Sequence, residues 1–206
     1  MRILILGVFA MATIVVASNI LVQYPLGLYL TWGALTYPLA FLVTDLTNRI
    51  AGPSTARKVV LVGFVTGILC SFIGTQIVGE FGPLVTLRIA IGSGLAFLCA
   101  QLLDISVFNR LRQGSWWKAP LVSTLVSSTL DTAIFFTIAF SATLTFLEPG
   151  NDVSWATAPG ALLGLGPQVP FWVSLAVGDW LVKLAMALVA LVPFRLAVAR
   201  LTTKVA

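Results

Sequence analysis

The stretch Thr31–Gly52, TWGALTYPLAFLVTDLTNRIAG, decides how the chain is read. It begins as an apolar run, carries Pro38 at its middle, and brings Asp45 and Arg49 towards a turn at Gly52-Pro53. A proline inside a helix removes one backbone hydrogen bond and clashes with the carbonyl four residues back, here Ala34, so a helix interrupted near its centre is expected. Phe41, Asp45 and Arg49 follow at four-residue spacing and share one face below the interruption. The plain reading is a bent membrane helix whose Asp45 and Arg49 pair at the membrane edge. The functional reading is a broken helix that exposes backbone to a ligand, as transporters use.

Outward from this stretch, the 206 residues are 59% hydrophobic and 9% charged, with a mean hydropathy of +1.03. That is the composition of an integral membrane protein. A spanning helix needs about 20 mainly apolar residues, and six such segments are predicted near 3–22, 28–48, 57–78, 84–107, 118–146 and 169–195. The fold class is therefore all-α, a polytopic membrane protein with residues 1–206 as one six-helix domain.

The net charge of +5 is informative through its placement. Arg2, then Arg49, Arg57 and Lys58, then Arg110, Arg112 and Lys118, then Arg195, Arg200 and Lys204 fall at every second connection. The intervening connections hold Glu80, Glu148 and Asp152. By the positive-inside rule both termini are expected in the cytoplasm. The basic residues thus mark topology, and no nucleic-acid partner is implied. Residues 1–18 have the look of a secretory signal, with Arg2, an apolar run and small residues at Ala17 and Ser18, yet the run continues to Val22 and the rest of the chain is equally apolar. They are read as the first helix. Cys70 and Cys99 lie inside predicted spans, so neither a disulfide nor a metal site is expected, and the absence of histidine removes the commonest metal ligand. No cofactor is implied.

Polar residues within the apolar runs are the candidate site. Asn19 and Gln23 lie on one face near the outer end of the first helix, suited either to a neighbouring helix or to a purine-like edge. The third helix, with Gly63, Gly67 and Gly74, reads as scaffold with small faces for close packing. On the fourth, Ser93, Phe97, Gln101 and Asp104 fall on one stripe, with Arg88 about one turn inside the outer end. Arg88 is either an interfacial anchor or a ligand residue. Asp104 needs a partner, and Arg110 or Arg112 is the candidate. The fifth helix opens after Trp116, Trp117 and Lys118 and carries Ser123, Ser127 and Asp131 at four-residue spacing, flanked by Thr124, Ser128 and Thr132. Asp131 falls near the bilayer midplane, where a charge costs a few kcal/mol. The sixth holds Asp179 and Lys183, again four apart, and a polar cavity shared with Asp131 is the simplest expectation. The loop 147–168 is uncharged apart from Glu148 and Asp152 and is a candidate cover for the site.

No nucleophile elbow, phosphate-binding glycine loop, paired cysteines or His-Glu zinc pattern occurs, so catalysis is not supported. A carrier for a small polar ring compound fits the inventory better. The segments SNILVQYP (18–25), TWGALTYPLAFLVTDLTNRIAG (31–52), LLDISVFNRLRQ (102–113), WWKAPLVSTLVSSTLDTAIFFTIAF (116–140) and DWLVK (179–183) resemble the queuosine precursor transporter family, which is similar to vitamin uptake transporters. The resemblance implies a bacterial inner-membrane importer of 7-cyano-7-deazaguanine or related 7-deazaguanine nucleobases, salvaged for queuosine in transfer RNA. It also implies a six-helix fold similar to the substrate-binding components of energy-coupling factor transporters, working without their ATPase.

A deazaguanine offers a ring N–H and an amine that one carboxylate accepts in bidentate fashion, and a carbonyl that needs a donor. Asp131 or Asp179 would be the acceptor, Asn19, Gln23, Arg88 or Lys183 the donors, and Trp32 and Phe41 the stacking rings, with Gln101 also facing the interior. Asp45 and Asp104 with Arg49 and Arg110 read as an inner gate or a fixed ion-pair set. Some relatives carry histidine where this chain has Ser106, so a histidine relay is not required here, and 147–170 shows no match. Two other readings stand beside the importer: a membrane binding component that needs an ATPase partner for a different heterocycle or vitamin, and a structural subunit whose Asp131, Asp179 and Lys183 are closed ion pairs. Small glycine faces leave room for a homodimer.

Overall fold

The computed structural model describes residues 1–80 and 82–202. Lys204, counted above with the C-terminal basic residues, lies outside the described residues. The chain runs α1 (Arg2–Leu21), a short hairpin of β1 (Pro25–Leu26) and β2 (Leu30–Thr31), α2 (Trp32–Thr36) and the long α3 (Leu39–Gln76). A second hairpin, β3 (Val78–Gly79) and β4 (Gly82–Pro83), leads to α4 (Leu87–Leu111) and α5 (Lys118–Phe140). The outer connection then holds a 3-10 segment at Ala142–Leu147, α6 (Ser154–Thr157) and a third hairpin of β5 (Pro159–Ala161) and β6 (Gln168–Pro170), before α7 (Phe171–Thr202). The hairpins are antiparallel, with Pro25 opposite Thr31, Val78 opposite Pro83 and Pro159 opposite Pro170.

Among the described residues five helical stretches are long and apolar enough to cross a membrane: Arg2–Leu21, Trp32–Gln76, Leu87–Leu111, Lys118–Phe140 and Phe171–Arg200. The second, at 45 residues, is about twice the length a crossing requires. It is not one rod. The interruption expected at Pro38 is present, separating α2 from α3, and Ala40 and Phe41 N–H reach back only three residues to Tyr37 and Pro38 carbonyls. Further on, Gly52 adopts φ 82°, ψ 169°, a conformation a side chain would oppose, and Pro53 follows without an N–H. The arms on either side of Gly52 both flank α1: a Cβ on Gly7 would stand 2.9 Å from Thr47 Oγ1 and 3.0 Å from Val59 Cγ2.

The molecule is apolar outside as well as inside. Phe9, Phe72 and Val192 are each more than 60% exposed, whereas Asp45, Asn48, Gln101, Asp104, Asp131 and Lys183 are buried. A core of Met11, Val15, Ala40, Val59, Val60 and Phe97 joins α1, α3 and α4, and Phe108, Ala119 and Phe194 join α4, α5 and α7.

Element ends depart from expectation in the outer half. The fifth helix, expected to run to 146, stops at Phe140, because Ser141 turns extended (φ −66°, ψ 136°) and accepts the Thr143 N–H on its own hydroxyl. Residues 28–31, expected as helix, lie in the first hairpin. That hairpin sets α2 tightly against the end of α1. A Cβ on Gly33 would lie 2.8 Å from both the N and Cα of Val22, backbone atoms with no rotamer to yield. On Gly63 it would meet Met11 Cγ at 2.6 Å, which a flexible methionine can vacate. Gly33→Ala is therefore expected to cost ~1–3 kcal/mol and to lower the apparent melting temperature in detergent more than Gly63→Ala does; the opposite order would contradict this packing.

Candidate functional site

α5 supplies the spine of the polar interior. Its Ser123, Ser127 and Asp131 lie at four-residue spacing on one stripe, and all are buried. Asp131 meets α7 at Lys183, whose Nζ is 2.6 Å from Asp131 Oδ2 and 2.5 Å from Asp179 Oδ2. Lys183 also donates to Thr132 Oγ1 at 3.0 Å, and Thr132 donates to Asp179 Oδ2 at 2.9 Å. From the interruption in the second segment, Tyr37 Oη donates to Asp131 Oδ1 at 3.0 Å, with Lys183 Nζ 5.4 Å from the centre of its ring. An ammonium ion that gives all three of its hydrogen bonds to two carboxylates and a hydroxyl, with a phenol on one of the acids, is a paired ionic triad, which is the condition under which charge tolerates a dry interior.

Among the described residues, clefts lie on two sides of the triad, and Asp131 lines neither of these two. One, between α1, α3 and α4, is lined by Asn19, Tyr37, Phe64, Ser93 and Phe97 and floored by Gly63 and Gly67. The other, between α3, α5 and α7, is lined by Pro38, Phe41, Asp45, Thr124 and Met186. Tyr37 thus borders an aromatic cleft on one side and holds Asp131 on the other.

The residues singled out in the sequence divide into those the fold gathers and those it does not. Asp131, Asp179 and Lys183 come together as expected from their depth, and Asn19 lies at the cleft beside Tyr37, its own amide donating to Val15 O at 2.9 Å. Phe41 is buried and packs edge-on to Tyr37 with centroids 6.4 Å apart. Gln101 is buried one helix away, its Oε1 accepting from Thr44 at 2.6 Å. Gln23 and Trp32 are exposed, at and beside the first hairpin. Arg88 is fully buried, but its guanidinium is engaged at the end of α5: Nε donates to Ile138 O at 2.9 Å and Nη2 to Ser141 O at 2.6 Å. Ile138 is two turns beyond Asp131, about 10 Å along the helix.

The pairing foreseen for the inner residues is not formed. Neither Asp45 nor Asp104 has a salt bridge among the described residues. Arg49 Nη1 donates instead to Arg112 O at 2.6 Å, and Arg110 is exposed. Arg112 is the residue that ends α4, so its carbonyl lacks an intrahelical partner and lies at the negative end of the helix dipole. A guanidinium one turn beyond Asp45 reaches that carbonyl and leaves the acid to Ser123 and Thr124.

Tyr37, Thr44 and Asn48 were missed as site residues. Tyr37 was open to discovery, because the four-residue stripe of Phe41, Asp45 and Arg49 extends one step back onto it. Thr44 and Asn48 carry no such signal; only the arrival of α4 opposite α3 brings them to Gln101 and to Ile105 O.

Residues 31–198 match the family described as "Putative vitamin uptake transporter". Among curated proteins the chain is 35% identical to the queuosine precursor transporter of Escherichia coli over 194 residues, covering 87% of this chain and 79% of that protein. It is 42% identical to a probable queuosine precursor transporter of Haemophilus influenzae, over 62% of this chain and 65% of the relative. A Bacillus subtilis protein of the same description is 30% identical over 80% of this chain and 70% of its own length. No solved structure gives a significant match. An apolar exterior and five helices long and apolar enough to cross a membrane fit a multi-pass membrane protein, and the family match places it among transporters. The chain belongs to the queuosine precursor transporter family.

Proposed function

We propose that this protein imports a queuosine precursor, 7-cyano-7-deazaguanine or a related 7-deazaguanine base, across the bacterial inner membrane. The likeness to the Escherichia coli transporter over 87% of the chain carries the substrate class. In this reading the long second segment makes two crossings that meet at Gly52, giving six in all with both termini cytoplasmic. Arg49, Arg57 and Lys58 beside that turn agree with the positive-inside rule. The six-helix arrangement is taken to resemble the substrate-binding components of energy-coupling factor transporters, working without an ATPase.

The base enters the aromatic cleft beside Tyr37, with Asn19 within reach of its polar edge and Phe64 and Phe97 against its face. Asp131, with Asp179 and Lys183 behind it, reads the ring N–H and amine once Tyr37 turns away. The acids of the triad are already paired with Lys183 and Tyr37, so binding exchanges one set of partners for another and leaves no carboxylate bare.

Thermal shift of the purified protein in detergent with 7-cyano-7-deazaguanine tests this. Ligand at about 100 times its Kd is expected to stabilise by ~2.7 kcal/mol. The gain should disappear in Asp131→Asn or Asp179→Asn, identifying the carboxylate that reads the edge. An unchanged melting temperature at high micromolar ligand would count against the substrate.

A further inference from the structure

A second group of acids lies towards the other end of the α5 stripe, unused by the triad. Asp45 and Asp104 are 2% and 0% exposed, and their carboxyl groups are within hydrogen-bond reach of each other. Only hydroxyls attend them: Ser123 Oγ donates to Asp45 Oδ1 at 3.3 Å, Thr124 Oγ1 to Asp45 Oδ2 at 3.4 Å, and Ser127 Oγ to Asp104 Oδ1 at 3.1 Å. Among the described residues no charge from the surrounding helices answers them. On α3, Arg49 is turned to Arg112 O; on α4, Arg110 is exposed. α5 presents hydroxyls, with Lys118 exposed and Asp131 already paired. α7 presents Met186, Ala187 and Phe194, and its Lys183 is held by Asp131 and Asp179.

Hydrogen-bonding capacity is also left open around the pair. Among the described residues Asp104 Oδ2 has no donor, Gln101 Nε2 one turn away has no acceptor, and Asn48 Oδ1 one turn from Asp45 has no donor, though all three side chains are fully buried. Two ionised carboxylates in contact in a dry site repel each other and each lacks the cation that burial demands. Two acceptors form a hydrogen bond only with a proton between them.

We propose that Asp45 and Asp104 hold one proton between them and are the site through which transport is coupled to protons. The shared proton follows from the pair itself; its coupling to transport rests on the import reading. A small cleft lined by Asp45, Pro120, Thr124 and Phe194 borders the pair. Ser127, which donates to Asp104, is one turn from Asp131, so the proton and the substrate act on the same helix. One proton binds and one leaves per cycle, and no other group is consumed.

Infrared spectroscopy of the protein in lipid at neutral pH reads the proton directly. A carboxylic-acid C=O band is expected in the wild type, shifted in Asp104→Glu and lost in Asp45→Asn/Asp104→Asn. A wild type with no such band, or a band untouched by these substitutions, overturns the shared proton. Proteoliposomes containing a pH-sensitive dye read the coupling. Uptake of 7-cyano-7-deazaguanine is expected to acidify the interior, and Asp104→Asn should exchange substrate yet lose its accumulation under a pH gradient. Uptake without acidification, or uptake that requires sodium, overturns the coupling and leaves the import reading in place. No uptake by the wild type overturns the import reading and the coupling with it, while the infrared result decides the shared proton alone. Should the variants fail to fold, the wild-type dye signal still decides the coupling.

Discussion

Lys183→Met is expected to destabilise the protein by ~3–5 kcal/mol, the cost of leaving buried charge without its partner. Lys183 is 3% exposed and is the one cation that reaches either acid of the triad among the described residues. Methionine matches its length and apolar stem, so the loss isolates the charge rather than the packing. Asp131, 2% exposed, would keep only the Tyr37 hydroxyl, and Asp179 only that of Thr132. Lys183→Met/Asp131→Asn removes one charge of each sign and is expected to recover most of the lost stability without recovering transport. Apparent melting temperatures in detergent, with uptake measured on the same preparations, check both statements. A single variant as stable as the wild type would mean that the acids find other partners and that the triad is not the fixed unit described.

Arg88→Met is expected to cost ~3 kcal/mol, about what two charge-assisted hydrogen bonds are worth when a buried site loses them. The guanidinium donates to Ile138 O and Ser141 O where α5 runs out, at the end that carries the negative half of the helix dipole. Glu148 answers it from the outer connection, accepting the backbone N–H groups of Leu87 and Arg88 at 3.1 Å each, at the positive end of α4. Arginine and glutamate thus close opposite ends of two neighbouring helices. Arg88→Lys keeps the charge but has a single nitrogen, so it should fall between wild type and Arg88→Met. Uptake per folded molecule is expected to survive in all of these, since Asp131 lies two turns away. Loss of substrate affinity in a well-folded Arg88→Lys protein would return Arg88 to the ligand.

What the sequence made legible was set by periodicity. Depth along a helix placed Asp131, Asp179 and Lys183 at one level, and the structure brings them into contact. Pro38 marked its interruption, and Gly52-Pro53 its break, because those residues act on their own backbone. Spacing within one helix says which residues share a face, but not which helix will lie opposite. Asp45 and Arg49 share a stripe and still part company, since the unpaired carbonyl that attracts Arg49 belongs to the end of α4. Arg88 carried both its candidate roles until the end of α5 was in view. The early stop at Phe140 rests on Ser141, whose capping geometry has no hydropathy signature.

The stripe on α5 has a thermodynamic consequence. Ser123, Thr124 and Ser127 serve one pair of acids, and Asp131 and Thr132 serve the triad, all from a single rod of 23 residues. A substrate that takes Tyr37's place on Asp131 pulls on the same rod that carries the hydroxyl donors of Asp45 and Asp104. Under the proposed roles, occupancy at either end changes the affinity at the other by one and the same factor. Protonation would then tune how tightly the base is held, and the bound base would tune how readily the proton departs, with no contact between the two ligands.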